Sequence, residues 1–208
     1  MKKDSKNVLF VALILTVLFL CFYFPNKMTE MKHNQTSLLQ FVAEVQAKED
    51  FLQSNFELNS QMTGLRAPEL FCMINNNEGR LLSVMTEDKP VLIYRFTNKS
   101  CEECYIDALT VLQKEIQTAF SENPDLVAVL CSHQTERELM ILKRTYKFSF
   151  PIYKIPFDAF DWVAEESNKP YYFVLHPGMK ISHIYVPKKG YPELNRQYFE
   201  SVKRLLLE

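Results

Sequence analysis

Two short runs of strand-forming residues, Val91 to Phe96 (VLIYRF) and Leu126 to Leu130 (LVAVL), flank a helical stripe in this chain. Between them Ile106, Leu109, Leu112, Ile116 and Phe120 recur at spacings of three and four, the period of an amphipathic helix. A strand, helix, strand succession joins parallel neighbours, because the crossover needs a dozen or more residues and packs back on the sheet with one hand. An α/β domain follows. Downstream come a second helix over Thr135 to Tyr146, a segment rich in Pro, Phe and acid from Pro151 to Lys169, and two strand runs, Tyr171 to Leu175 and Ile181 to Val186. His176-Pro177-Gly178 makes those two runs a hairpin, and a helix over Pro192 to Leu207 closes the chain. All four glycines, Gly64, Gly79, Gly178 and Gly190, sit beside turn-forming or polar residues and are expected in turns.

Charge balance narrows the function classes. With 24 Lys+Arg against 25 Asp+Glu and a net charge of −1, the chain lacks the basic surplus that nucleic-acid binding requires. Five cysteines in 208 residues are too few for a disulfide-stapled scaffold.

Val8 to Phe24 (VLFVALILTVLFLCFYF) carries no charge over 17 residues. As a helix it would be roughly 25 Å long, close to the ~30 Å of a hydrocarbon core, and is expected to be a membrane anchor. Lys2, Lys3 and Lys6 precede it, so residues 1–7 are expected in the cytoplasm and the rest outside, on one pass through the inner membrane. The stretch from Cys21 onward, CFYFPNKMTEM, lacks the small-x-small pair of a signal-peptidase site, which favours an uncleaved anchor.

Residues 25–63 read as a helical stalk or linker. Leu38, Phe41, Val42, Val45, Leu52 and Phe56 follow helical spacing, but Lys48 and Glu49 interrupt the stripe, which argues against a strong coiled coil. Polar punctuation from Asn59 to Gly64 places the domain at residues 64–208.

Cys101-Glu102-Glu103-Cys104 falls where the first strand run hands over to the helix. At a helix N-terminus, unpaired N–H groups and the macrodipole favour a thiolate, the form that attacks disulfides. A second thiol one turn later is near enough to close a disulfide with the first.

With that motif, residues 64–208 resemble the TlpA-like redoxins, thioredoxin-fold thiol–disulfide oxidoreductases of bacterial envelopes. Gly64-Leu65-Arg66-Ala67-Pro68-Glu69-Leu70-Phe71 is similar to the family's opening, Asn77-Glu78-Gly79 to its first turn, and Lys169-Pro170-Tyr171-Tyr172-Phe173-Val174 to its proline-led strand. The resemblance implies a central mixed sheet with helices on both faces, and Cys101 and Cys104 as the catalytic pair. It also implies Pro170, cis in the family, bordering a substrate groove with Lys169, and protein thiols or disulfides as partners. A membrane or envelope thiol would donate electrons, and no cofactor is needed.

Two positions depart from the family pattern. Ser100 stands where the family has Trp before the first cysteine, and Glu103 where it has Pro before the second. The charges of Glu102 and Glu103 oppose a thiolate at Cys101, which favours a reducing or weakly active site. They also motivate a rival reading, a redox-inert interaction module on the same fold. Peroxiredoxins resemble P-x-x-x-T-x-x-C around the nucleophile, and the residues here, Tyr94 to Cys101, have neither that Pro nor that Thr.

Other polar residues have simpler readings. Cys131 and His133 follow the second strand run and, with Cys101 and Cys104, suggest a Cys₃His metal site, against which stands a buried thiol with a surface histidine. No metal is expected. Cys72 is expected in the core. His33, His176 and His183 read as isolated surface groups. Phe157, Phe160 and Trp162 among Asp158, Asp161, Glu165 and Glu166 read as packing aromatics, with a partner-binding lid as the alternative.

Overall fold

The computed structural model describes residues 2–207 except 76, 77, 98, 121, 122, 133, 134 and 149; side chains are described from residue 13 onward, apart from 75, 116, 117, 119, 124 and 136. In chain order the helices and strands are α1 (Lys2–Met62), β1 (Phe71–Asn75), β2 (Glu78–Leu81), α2 (Leu82–Met85), β3 (Val91–Thr97), α3 (Glu102–Ala119) and β4 (Val127–Ser132). There follow α4 (Glu136–Tyr146), β5 (Ile152–Lys154), α5 (Val163–Glu166), β6 (Tyr171–Leu175), β7 (Ile181–Tyr185) and α6 (Pro192–Leu207).

The chain divides into two compact units, Met1–Gln53 and Ser54–Glu208. In the first, the described residues are all helical, and the apolar side chains of Leu38, Phe41, Val42 and Val45 are exposed. Among the described residues no helix is long and apolar enough to cross a membrane. The described side chains begin at Leu13, five residues inside the apolar run of Val8 to Phe24.

The second unit begins ten residues before the Gly64 boundary expected from sequence, because the last turns of α1 carry core and edge contacts. Met62 is fully buried in the apolar cluster, with Leu58 packed against it. Asn59 Oδ1 accepts from the Ile184 N–H at 2.9 Å and Asn55 Oδ1 from the Val186 N–H at 2.7 Å. These amides sit on β7, an outer strand of the sheet, and one residue past its end, so the two asparagines occupy donors that would otherwise be open to a foreign strand.

Seven strands form one mixed sheet in the order β2-β1-β5-β4-β3-β6-β7. The expected parallel crossover is present: β3 and β4 pair in parallel from Leu92↔Val127 to Thr97↔Ser132. The hairpin is present too, β6 and β7 pairing antiparallel. Strand β5, which pairs in parallel with β4 and antiparallel with β1, lies in the Pro- and Phe-rich segment that had no assigned element. Three residues are too few to carry a period, so only its partners define it.

Alternation along β3 sorts the core into two layers. Val91, Ile93 and Arg95 are on one face, where Val91 and Ile93 join Ala128, Leu130, Phe173 and Trp162. Tyr94 and Phe96 face α3: the Tyr94 hydroxyl donates to the Tyr105 carbonyl at 3.2 Å, and the Phe96 and Tyr105 rings stack at 4.7 Å. From β6 the Tyr172 hydroxyl donates to the Ala108 carbonyl at 2.9 Å and its ring meets Phe199 of α6. Of the predicted stripe on α3, Leu109, Leu112 and Phe120 are buried.

Gly79 departs from its expected place in a turn. It lies inside β2 opposite Met73, and a Cβ there would sit 2.7 Å from the Cys72 carbonyl oxygen and 2.7 Å from the Phe71 ring. The position needs glycine for backbone approach. Gly79→Ala is expected to lower stability by about 1–3 kcal/mol, seen as a lower urea midpoint with an unchanged slope, since the carbonyl cannot move without the strand.

Candidate active site

The β3–α3 junction is held by a turn that Thr97 and Ser100 build between them. Ser100, buried, accepts from the Thr97 N–H at 3.2 Å, its own N–H donates to the Thr97 carbonyl at 3.0 Å, and the two hydroxyls are 3.4 Å apart. The Lys99 N–H donates to the Thr97 hydroxyl at 3.2 Å. Ser100 is therefore a turn-building residue here, a role its small hydroxyl suits and the family's Trp could not fill.

That turn leaves Cys101 at the first position before α3, where its carbonyl accepts from the Tyr105 N–H at 3.1 Å. Cys101 and Cys104 are joined by a disulfide with Cα atoms 5.1 Å apart, and both residues are exposed. The Cys104 N–H points at Cys101 Sγ, 3.3 Å away. This is one of the orphan amides of a helix start, and it would stabilise negative charge on that sulfur after reduction. Glu102 and Glu103 occupy the first turn of α3 and act in the opposite sense. The arrangement can exchange disulfides: an accessible sulfur pair with a donor aimed at the first sulfur.

Two of the other three cysteines differ, the third, Cys21, being free and exposed in the first unit. Cys72 is buried on β1, and burial pushes its thiol up to about 12, so it is a poor nucleophile at neutral pH. Cys131 lies on β4 opposite Phe96 and is fully buried. Among the described residues no three His, Cys, Asp or Glu side chains are placed to hold a metal; His133, proposed with Cys131 as a ligand, lies outside them.

Pro170 differs from its family expectation. None of the described peptide bonds is cis, and Pro170 is buried immediately before β6, where a missing N–H costs the ladder nothing because pairing begins at Arg95↔Tyr171. Lys169 is exposed, its N–H donating to the Ser167 hydroxyl at 3.2 Å.

His176 and His183 are not isolated. Both are half-buried, and the Ser182 hydroxyl lies 2.6 Å from His176 Nε2 and 2.8 Å from His183 Nδ1, bridging the two imidazoles. Burial lowers both pKa values, holding the pair neutral. The hairpin brings them together, so single-residue inspection could not pair them.

Sequence reasoning also missed Arg95. Its guanidinium, 0% exposed, donates from Nε and Nη2 to the two oxygens of Glu165 at 2.8 and 3.1 Å, and from Nη1 to the Phe96 carbonyl at 2.8 Å. Tyr171, paired with Arg95 across the strands, donates its hydroxyl to Glu165 Oε1 at 2.7 Å. An arginine inside the run VLIYRF was the available signal, since a charge in a two-face-buried strand must find a partner.

A mixed sheet with helices on both faces and a dithiol motif at the start of the helix after a central strand defines a thioredoxin-like fold. Two solved structures share it. One is a candidate protein disulfide isomerase from Bacteroides thetaiotaomicron, at a TM-score of 0.55 and 16% identity over 70% of this chain and 91% of that one. The other is a thiol:disulfide interchange protein from a Bacteroides species, at 0.53 and 14% identity with the same coverage. No family model matches the sequence, and no curated protein matches it.

Proposed function

We propose that this chain is a membrane-tethered thiol–disulfide oxidoreductase that reduces or exchanges disulfides of envelope proteins. The observation that carries the reading is the exposed Cys101–Cys104 disulfide at the start of α3 with the Cys104 N–H on Cys101 Sγ. In the reducing direction the Cys101 thiolate attacks a client disulfide; the Cys101–client S–S bond forms, the client S–S bond breaks, and one client thiolate leaves. Cys104, deprotonated, then attacks Cys101 Sγ, releasing the second client thiolate and leaving the Cys101–Cys104 disulfide. Two electrons and two protons pass to the client, and another thiol, in a membrane or envelope partner, restores the dithiol. Glu102 and Glu103 favour this reducing direction. Pro170 and Lys169 border the docking surface in this reading, as in the family the sequence resembles.

Anchoring belongs to the same proposal. The uncharged run of Val8 to Phe24 and the preceding Lys2, Lys3 and Lys6 support a single-pass inner-membrane span with the domain on the extracytoplasmic side. Expressed full-length, the protein is expected to stay with membranes through alkaline carbonate washing and enter solution only with detergent; release by carbonate would refute the span.

Insulin reduction tests the chemistry. The wild-type protein with dithiothreitol is expected to precipitate insulin B chain faster than dithiothreitol alone. A wild-type rate equal to background would leave the fold as an inert interaction module.

A further inference from the structure

Beside the disulfide loop lies a cavity of about 240 Å³ that the reaction scheme does not use. One side is formed by Thr97 at the end of β3 and Lys99 of the β3–α3 loop, the other by the segment from Phe157 to Asn168. Its apolar wall is aromatic: Phe160 and Trp162 stack at 4.1 Å, and Phe157 is half exposed. Four carboxylates line it as well, Asp158, Asp161, Glu165 and Glu166. Glu165 is neutralised by Arg95, which leaves three acids against the single ammonium of Lys99. Those three, Asp158, Asp161 and Glu166, are exposed and make no ion pair with another described residue.

Lys99 shows what this wall accepts. Its Nζ lies 4.5 Å from the centroid of Phe157, a cation on an aromatic face at the cavity's edge. An aromatic surface with a surplus of carboxylates suits a second cation: the ring faces take the alkyl stem and the acids the charged head. Lys99 is two residues from Cys101, so a chain whose cysteine meets Cys101 can reach this cavity within a few residues.

We propose that this acidic, aromatic cavity is a specificity subsite that receives a lysine or arginine of the client polypeptide close to the cysteine being attacked, selecting basic-flanked disulfides. The proposal rests on the oxidoreductase reading and names the client chemistry that reading leaves open. It adds an electrostatic term to encounter without altering the exchange at sulfur.

The test uses two cyclic disulfide peptides identical except that lysines or glutamates flank the cysteines. Each is mixed with pre-reduced full-length protein in detergent, single-turnover rates are measured, and each is divided by the peptide's rate with dithiothreitol, a neutral thiol, to remove intrinsic reactivity. The lysine peptide is expected to react about fivefold faster or more at low ionic strength, the ratio falling toward one as salt rises. In the triple variant Asp158→Asn, Asp161→Asn, Glu166→Gln the low-salt ratio is expected to collapse toward one. Equal normalised rates in the wild type, or a ratio indifferent to salt, would overturn the subsite while leaving the oxidoreductase standing, and so would a folded triple variant that keeps the full ratio. Reduction of neither peptide would overturn both.

Discussion

Cys101→Ser is expected to lose insulin reduction by about a hundredfold or more, down to the rate of dithiothreitol alone, whereas Cys104→Ser is expected to stall one step later. Both residues are exposed, but of the two sulfurs only that of Cys101 receives a helix-start N–H, that of Cys104 at 3.3 Å. A thiolate formed on reduction would be better stabilised at Cys101, so Cys101 is expected to be the attacking sulfur. Without Cys104 nothing resolves the Cys101–client bond, so a mixed disulfide accumulates. On a non-reducing gel Cys104→Ser should carry a band at the summed mass of protein and client, absent from Cys101→Ser and removed by reductant. The reverse pattern, with the adduct in Cys101→Ser, would assign attack to Cys104. Cys72 and Cys131 give no such adduct in either variant, since both are buried.

Features set by neighbouring residues were legible in the sequence. The β3–α3–β4 crossover, the β6–β7 hairpin and the dithiol at the helix start each depend on a local period or spacing, and each is present. Helix α4 was legible for the same reason: Thr135 and Glu138 form a capping box, a start signal written within four residues. What escaped depends on residues far apart. Strand β5 exists because β4 and β1 frame it. Gly79 is required by the backbone of a neighbouring strand rather than by a turn. Ser100, which looked like a departure from the family pattern, makes sense only with the Thr97 hydroxyl beside it. At Pro170 the family's geometry did not transfer, although the strand it precedes did.

Glu165→Ala is the substitution expected to cost the fold most. It leaves the Arg95 guanidinium buried in the sheet with the Phe96 carbonyl and the Phe160 ring, 5.7 Å away, as its remaining partners. It also strips the Tyr171 hydroxyl of its acceptor. Unpairing one member of a buried ion pair costs about 3–5 kcal/mol, and because Glu165 keeps one edge on the cavity the lower end applies, about 3 kcal/mol. For a domain of this size that is a fall in melting temperature of roughly 6–12 °C. Glu165→Gln should cost less, because the amide oxygen still accepts from Arg95, and Arg95→Met combined with Glu165→Leu and Tyr171→Phe should recover much of the loss, with no charge left to strand. A drop under about 1 kcal/mol for Glu165→Ala would mean that water reaches Arg95 through the cavity and solvates it in place of the carboxylate. The triple replacement separates the two accounts: if pairing matters, it is more stable than Glu165→Ala, and if water suffices, it gains nothing over it.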